Sequence, residues 1–349
     1  MAEEKPRAQI EIINNNEMVP SDPINMAVLQ SPPTSTPGSP TQGMSEPTNH
    51  NTTGEQYEIE GLGPDSLEVM ASHARLVEIG DMFQGMTKVE ALCLRQNYIQ
   101  RIEGFEDCGE VTDLDLYDNR LTKMEGLAAM TKLTVLDLSF NGIRKIENLE
   151  SLVNLEKLFL ISNKITTIEN LSTLTKLKYL ELGSNRIRKI ENLDSLQNLE
   201  QLFVGRNKIT HIEGISCLPK LRVLSIQSNR IVDLEGLEDN VDLEELYMSH
   251  NGLYELKGLD SLTNLTTLDV AANRIARLSN IKHLTKLEEF WFNGNQLEEW
   301  KDVELLPYES KTLQTVYMEG NPISKDVNYR RKLMLTVPSL RQIDATLCA

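Results

Sequence analysis

Asn97, Asn119, Asn141, Asn163, Asn185, Asn207, Asn229, Asn251, Asn273 and Asn295 stand 22 residues apart without a slip. A chain with so short a fixed period must stack one structural unit on the next, because no single unit can bury its own apolar edge. Around each asparagine the unit reads L-x-x-L-x-L-x-x-N-x-I-x-x-I-E-x-L-x-x-L-x-x, as in LEKLFLISNKITTIENLSTLTK. An eleventh unit ends at Asn321, 26 residues after the tenth, with the four extra residues near LPYESK. Ahead of the array a degenerate unit has Arg75 where the asparagine belongs and Gly80 where an aliphatic residue belongs. Residues 58–88 are therefore expected to cap the N-terminal end.

The L-x-L stretch alternates with period two, so each unit supplies a short strand whose leucines face inward, and successive strands stack in parallel at about 4.8 Å. The asparagine sits where the chain turns away from the strand, where its amide can satisfy backbone groups that the turn would orphan. The I-x-x-I spacing suits one turn of helix or 3-10 helix on the outer side, since 22 residues leave no room for more. This is the pattern of the leucine-rich repeat. It predicts an α/β solenoid, a horseshoe with a parallel concave sheet and a short helical or 3-10 convex side, running over residues 89–323. In 324–349, DVNYRRKLML reads as an amphipathic helix and LRQIDA as a last strand, together a C-terminal cap.

Residues 1–57 read differently. Eight of the thirteen prolines fall before residue 48, among much Ser, Thr and Asn. Such a segment buries too little apolar surface to offset its ordering entropy and is expected to be a disordered tail. Within it, Ser31, Thr36 and Ser39 precede prolines in SPPTSTPGSP, a pattern for a linker or a phosphorylation patch. The tail's first 54 residues carry six acids against Lys5 and Arg7, so about −13 of the net charge of −17 belongs to the rest of the chain. That charge disfavours nucleic acid and anionic membranes as partners and favours a basic protein surface. Four scattered cysteines without a C-x-x-C pair read as reduced thiols. No apolar run of 18 residues and no secretory leader pattern is found. Phosphate loops, G-x-S-x-G, H-E-x-x-H and spaced Cys/His clusters are missing too, so the expectation is a non-catalytic chain with no cofactor and no metal.

What the inner face carries follows from the strand period. The residues between the two strand leucines are, in order, Cys93, Asp115, Asp137, Phe159, Glu181, Phe203, Ser225, Tyr247, Asp269, Trp291 and Tyr317. Five are aromatic and four acidic, although the chain has only 18 aromatic residues, so a face with no core duty is strongly enriched in rings. Glu289 flanks Trp291 on the same side. Rings and carboxylates along a band about 50 Å long, taking eleven strands at strand spacing, form a docking surface rather than a solvated one. The glutamates Glu103, Glu125, Glu147, Glu169, Glu191, Glu213 and Glu235 form a second column, expected to be neutralised by lysines and arginines on neighbouring turns.

The segments LCLRQNYI, LDLYDNRL, LELGSNRIRKIENLDSLQNLEQLF, EEFWFNGNQLEEW and YRRKLMLTVPSLRQIDAT resemble the leucine-rich-repeat regulatory subunits of type-1 protein phosphatase, the regulatory subunit 7 family. The resemblance runs over about residues 75–347. It implies a concave face that grips the phosphatase catalytic subunit through Asp137, Phe159, Glu181, Phe203, Asp269, Glu289, Trp291 and Tyr317. It further implies a link to an inhibitor-3-type phosphatase inhibitor, nuclear and cytoplasmic pools, a role in mitosis, and a monomer when free. The runner-up use of such a surface is an adaptor for cytoskeletal or ciliary proteins; an extracellular adhesin of the bacterial internalin kind is disfavoured by the missing leader pattern.

Overall fold

The structure is a computed structural model that describes residues 62–348. The Pro-rich tail, with Ser31, Thr36 and Ser39, lies outside the described residues. Fourteen strands form one sheet in strict chain order. They are β1 (Glu68–Met70), β2 (Ala91–Cys93), β3 (Asp113–Asp115), β4 (Val135–Asp137), β5 (Lys157–Phe159), β6 (Tyr179–Glu181) and β7 (Gln201–Phe203). There follow β8 (Val223–Ser225), β9 (Glu245–Tyr247), β10 (Thr267–Asp269), β11 (Glu289–Trp291), β12 (Thr315–Tyr317), β13 (Gln342–Ile343) and β14 (Thr346–Leu347). From β1 to β13 all pairings are parallel, and β14 turns back antiparallel on β13. The unit with Arg75 joins the array through β1, where Val69 pairs with Leu92.

Each strand from β1 to β12 aims its middle residue into a continuous apolar core, and the residue after the strand does the same. Leu158 and Leu160 are both fully buried, as are their counterparts Leu136 and Leu138. The register keeps equivalent residues side by side, so Leu136, Leu158 and Leu180 form one row across β4 to β6.

The asparagines tie the turns together. Asn185 accepts from the Ile165 N–H of the preceding turn at 3.0 Å. Its amide donates to the carbonyls of Leu160, Leu182 and Gly183 at 2.9, 3.0 and 3.1 Å. Asn163 and Asn207 repeat the arrangement one turn either side. The turn itself is made by the preceding residue, Ser162, Ser184 or Arg206, in the left-handed region at φ of 53 to 55°. Single left-handed residues of this kind cost about 1–2 kcal/mol each and persist where the surrounding bonds fix them.

On the outer side the structure departs from the expected helical turn. Among the described residues, helix appears only after Glu299. The convex arc instead takes separate turns, with Leu152 N–H on Leu149 O and Leu155 N–H on Leu152 O, both at 3.0 Å. A 3-10 helix needs bonds from consecutive residues. Here Leu149, Leu152 and Leu155 are all drawn into the core, so the chain closes one bond for every three residues.

A second left-handed position follows the outer isoleucines and is filled only by glycine or asparagine: Gly104, Gly126, Asn148, Asn170, Asn192, Gly214, Gly236, Gly258 and Asn280. Asn170 donates from there to Ile146 O at 2.6 Å. At Gly258 a Cβ would lie 1.8 Å from Leu234 O, the equivalent carbonyl.

The extra four residues near LPYESK are absorbed by α1 (Trp300–Val303) and a 3-10 turn at Tyr308–Ser310. Arg277 Nη2 donates at 2.9 Å to the buried Asp302, which pins this excursion to the array. At the far end α2 (Tyr329–Thr336) lies beside β13 and β14. Its Arg330 donates to Ile343 O at 2.7 Å and Leu347 O at 3.1 Å.

Candidate functional site

The last residue of each strand points to the concave face, so the eleven residues read from the sequence do share one surface. Register divides the eight candidates into two groups. Asp137, Phe159, Glu181 and Phe203 are direct cross-strand neighbours on β4 to β7. Asp269, Trp291 and Tyr317 are neighbours on β10 to β12, with Glu289 on the same strand as Trp291. Ser225 and Tyr247 separate the groups, on β8 and β9.

In the first group the rings make contact through a residue that the sequence reading passed over. Tyr179, at the start of β6, lies between Phe159 and Phe203 with ring centroids 4.8 and 5.0 Å away. Phe203 is only 9% exposed, yet it lies outside the apolar core cluster and packs against the Tyr179 ring. Phe159, half-buried, keeps part of its ring open. The trio is thus a preformed apolar platform, worth roughly 0.5–1.5 kcal/mol per ring pair beyond area burial.

The acids of the column do double duty. Each accepts the backbone N–H two residues on: Asp137 from Ser139 at 2.8 Å, Glu181 from Gly183 at 2.8 Å, Asp269 from Ala271 at 2.9 Å. Asp115 does the same for Tyr117 at 2.9 Å. These bonds favour the ionised form, but loss of water outweighs them. Burial pushes Glu181 up to about 7 and Asp137 up to about 6, with Asp137 repelling Glu181 and Asp115 repelling Asp137. Burial also raises Asp269 and Asp115 above the usual carboxylate range. The face thus sets desolvated carboxyl groups beside apolar rings.

The second group is an indole braced by its neighbours. Trp291 packs against Tyr317 at 5.3 Å and donates from Nε1 to Glu289 Oε2 at 3.2 Å. Gln342 of β13 donates to the Tyr317 hydroxyl at 2.7 Å, which connects the C-terminal cap to the face. Towards the N-terminal end, Arg95 pairs with Asp115 at 3.1 Å and lies over the Tyr117 ring. On the outer face the glutamate column is partly neutralised, through Arg101 with Glu125 and Lys189 with Glu213. Among the described residues no group of three or more His, Cys, Asp or Glu is arranged to hold a metal ion, and no helix is long and apolar enough to cross a membrane.

The family described as Leucine Rich repeats (2 copies) matches five overlapping windows between residues 110 and 239, and that described as Leucine-rich repeat matches 239–347. Together they span more than half of the chain. The chain is a leucine-rich-repeat protein.

An internalin from Listeria monocytogenes shares the leucine-rich-repeat arc with a TM-score of 0.64 and 25% identity, over 81% of this chain and 87% of that one. Among curated proteins, Protein phosphatase 1 regulatory subunit 7 of Xenopus tropicalis is 71% identical over 34 residues, 10% of each chain. Its counterpart in Danio rerio is 65% identical over 37 residues, 11% of each chain. These matches span about a tenth of the length of the curated relatives. Tyr179 stands outside the leucine-rich-repeat column that periodicity singles out. The signal that could have found it is its place two residues before Glu181, on the same side of a strand flanked by Phe159 and Phe203.

Proposed function

We propose that this chain is a non-catalytic regulatory subunit that docks its concave face on the catalytic subunit of a type-1 Ser/Thr protein phosphatase. One observation carries the reading: the aromatic and acidic residues fall into two braced clusters on the face that a repeat array leaves free for a partner. The similarity to regulatory subunit 7 over about a tenth of the chain supports a type-1 phosphatase as that partner. Carboxylates of Asp137, Glu181, Asp269 and Glu289 pair with lysines and arginines of the phosphatase, while Phe159, Phe203, Trp291 and Tyr317 supply the apolar contact. An inhibitor-3-type inhibitor joins the same assembly, which works in nucleus and cytoplasm, and the free chain is a monomer.

The test is direct binding of the purified full chain to the catalytic subunit. Truncating an anchor in a well-packed interface costs at least about 2 kcal/mol, so Trp291→Ala should weaken binding roughly thirtyfold, and Glu181→Lys should weaken it by a similar factor through charge reversal. Wild-type affinity in both variants, with circular dichroism showing an intact fold, rejects the concave face as the site.

A further inference from the structure

Glu181 is 5% exposed and sits at the centre of the Phe159, Tyr179 and Phe203 platform. Its Oε1 is held flat on the sheet by the Gly183 N–H, and a Cβ at residue 183 would lie 2.6 Å from that oxygen. A side chain at residue 183 would push the carboxylate out of this pose. The groups around it offer no compensating charge. On β5 stand Phe159 and the exposed Lys157, on its own strand Tyr179, and on β7 Gln201 and Phe203, while on β4 the nearest carboxylate, Asp137, repels it. Among the described residues no Lys, Arg or His lies within the 4.0 Å of an ion pair with Glu181. An unpaired buried carboxylate keeps a proton until a cation replaces it, and burial already holds Glu181 at about 7.

We infer that docking on the concave face is proton-linked: a cationic group of the partner takes the place of a proton on Glu181, so the complex tightens as pH rises through neutrality. This rests on the partner assigned under Proposed function. In the free chain near neutral pH part of the Glu181 population is the neutral acid. When a lysine or arginine of the partner arrives, the O–H bond breaks, the proton leaves to buffer and the carboxylate stays behind in the ion pair. The direction follows from linkage. The bound state holds fewer protons than the free state, so affinity falls as pH falls below the free-state midpoint, by roughly tenfold at one pH unit below it. Asp137, at about 6, adds a smaller factor, about twofold at pH 6.

The experiment measures binding of the full chain to the catalytic subunit by calorimetry between pH 6 and 8, in buffers of differing ionisation enthalpy. Glu181→Gln, which keeps the shape and the acceptor for Gly183 N–H, is run alongside. The expected result is a roughly tenfold loss of wild-type affinity from pH 8 to pH 6, with proton release visible as buffer-dependent heat. In Glu181→Gln the loss from pH 8 to pH 6 should shrink to about twofold, left by Asp137, and the proton released near pH 7 should largely disappear. Tight wild-type binding that is flat in pH, or a slope that survives unchanged in Glu181→Gln, overturns this inference and leaves the partner assignment standing. No binding at any pH overturns the assignment together with it. A carboxyl NMR titration of the free chain gives a reading independent of any partner: a Glu181 midpoint below about 5 also overturns the proposal.

Discussion

Replacing Asn185 with alanine removes four hydrogen bonds, and the structure shows that they are not equivalent. The Ile165 N–H has Asn185 Oδ1 as its partner and would be left buried and unpaired, at a cost of about 1–3 kcal/mol. The three carbonyls fare better. Leu160 O still accepts from Asn163, Leu182 O from Asn207, and Gly183 O from the Ser162 N–H. Loss of one of two donors costs each carbonyl less than full orphaning, so the total expected is about 2–4 kcal/mol. Asn185→Asp separates the roles. It keeps the acceptor for Ile165 N–H but turns a charged oxygen towards the three carbonyls, so at pH 7 it should destabilise at least as much as alanine. At pH 4 the protonated acid can donate, and part of the loss should return. Urea denaturation of the full chain followed by circular dichroism at both pH values measures this. A cost below about 1 kcal/mol for Asn185→Ala, or an aspartate variant as stable as wild type at pH 7, would refute the account of the asparagine as the paired donor and acceptor of the turn.

Glu181→Gln should stabilise the isolated chain at pH 8, by up to about 3 kcal/mol from a carboxyl raised from 4.5 to about 7. The sign follows because a raised acid binds more protons folded than unfolded between those values, so its contribution is lost as pH rises through that window; thermal melts at pH 5 and pH 8 should therefore show the two proteins converging at the lower pH. Gly258→Ala should be strongly destabilising, because its Cβ meets Leu234 O at 1.8 Å; Gly258→Asn brings the same Cβ and must shift the backbone from φ 89° towards the 58 to 60° of Asn148, Asn170 and Asn192, but there its amide can donate to the equivalent carbonyl, so it should lose less than alanine. Melting temperatures of the two variants check this, and equal losses would show that chirality alone, not the carbonyl contact, sets the requirement.

The array was legible because its determinants are local and repeated. Period two around Leu158 and Leu160 fixed which side chains face the core, and the 22-residue spacing aligned them from turn to turn. The outer side was less legible: I-x-x-I is equally compatible with a helical turn and with isolated turns, and only the third leucine of the arc, Leu155 after Leu149 and Leu152, decides between them. At the candidate site, periodicity found the outward column but treated each residue separately. Tyr179 bridging Phe159 and Phe203 depends on rings leaning diagonally across strands, which a column reading does not register. The capping role of Asp137, Glu181 and Asp269 was hidden as well, since the donor is a backbone group that every residue type possesses.

Because one carbonyl serves two successive asparagines, as Leu160 O serves Asn163 and Asn185, no turn can detach without loosening the rung beside it. Heat should therefore peel the horseshoe from its ends inward, and hydrogen exchange should be slowest midway along the arc, where every rung has a neighbour on both sides.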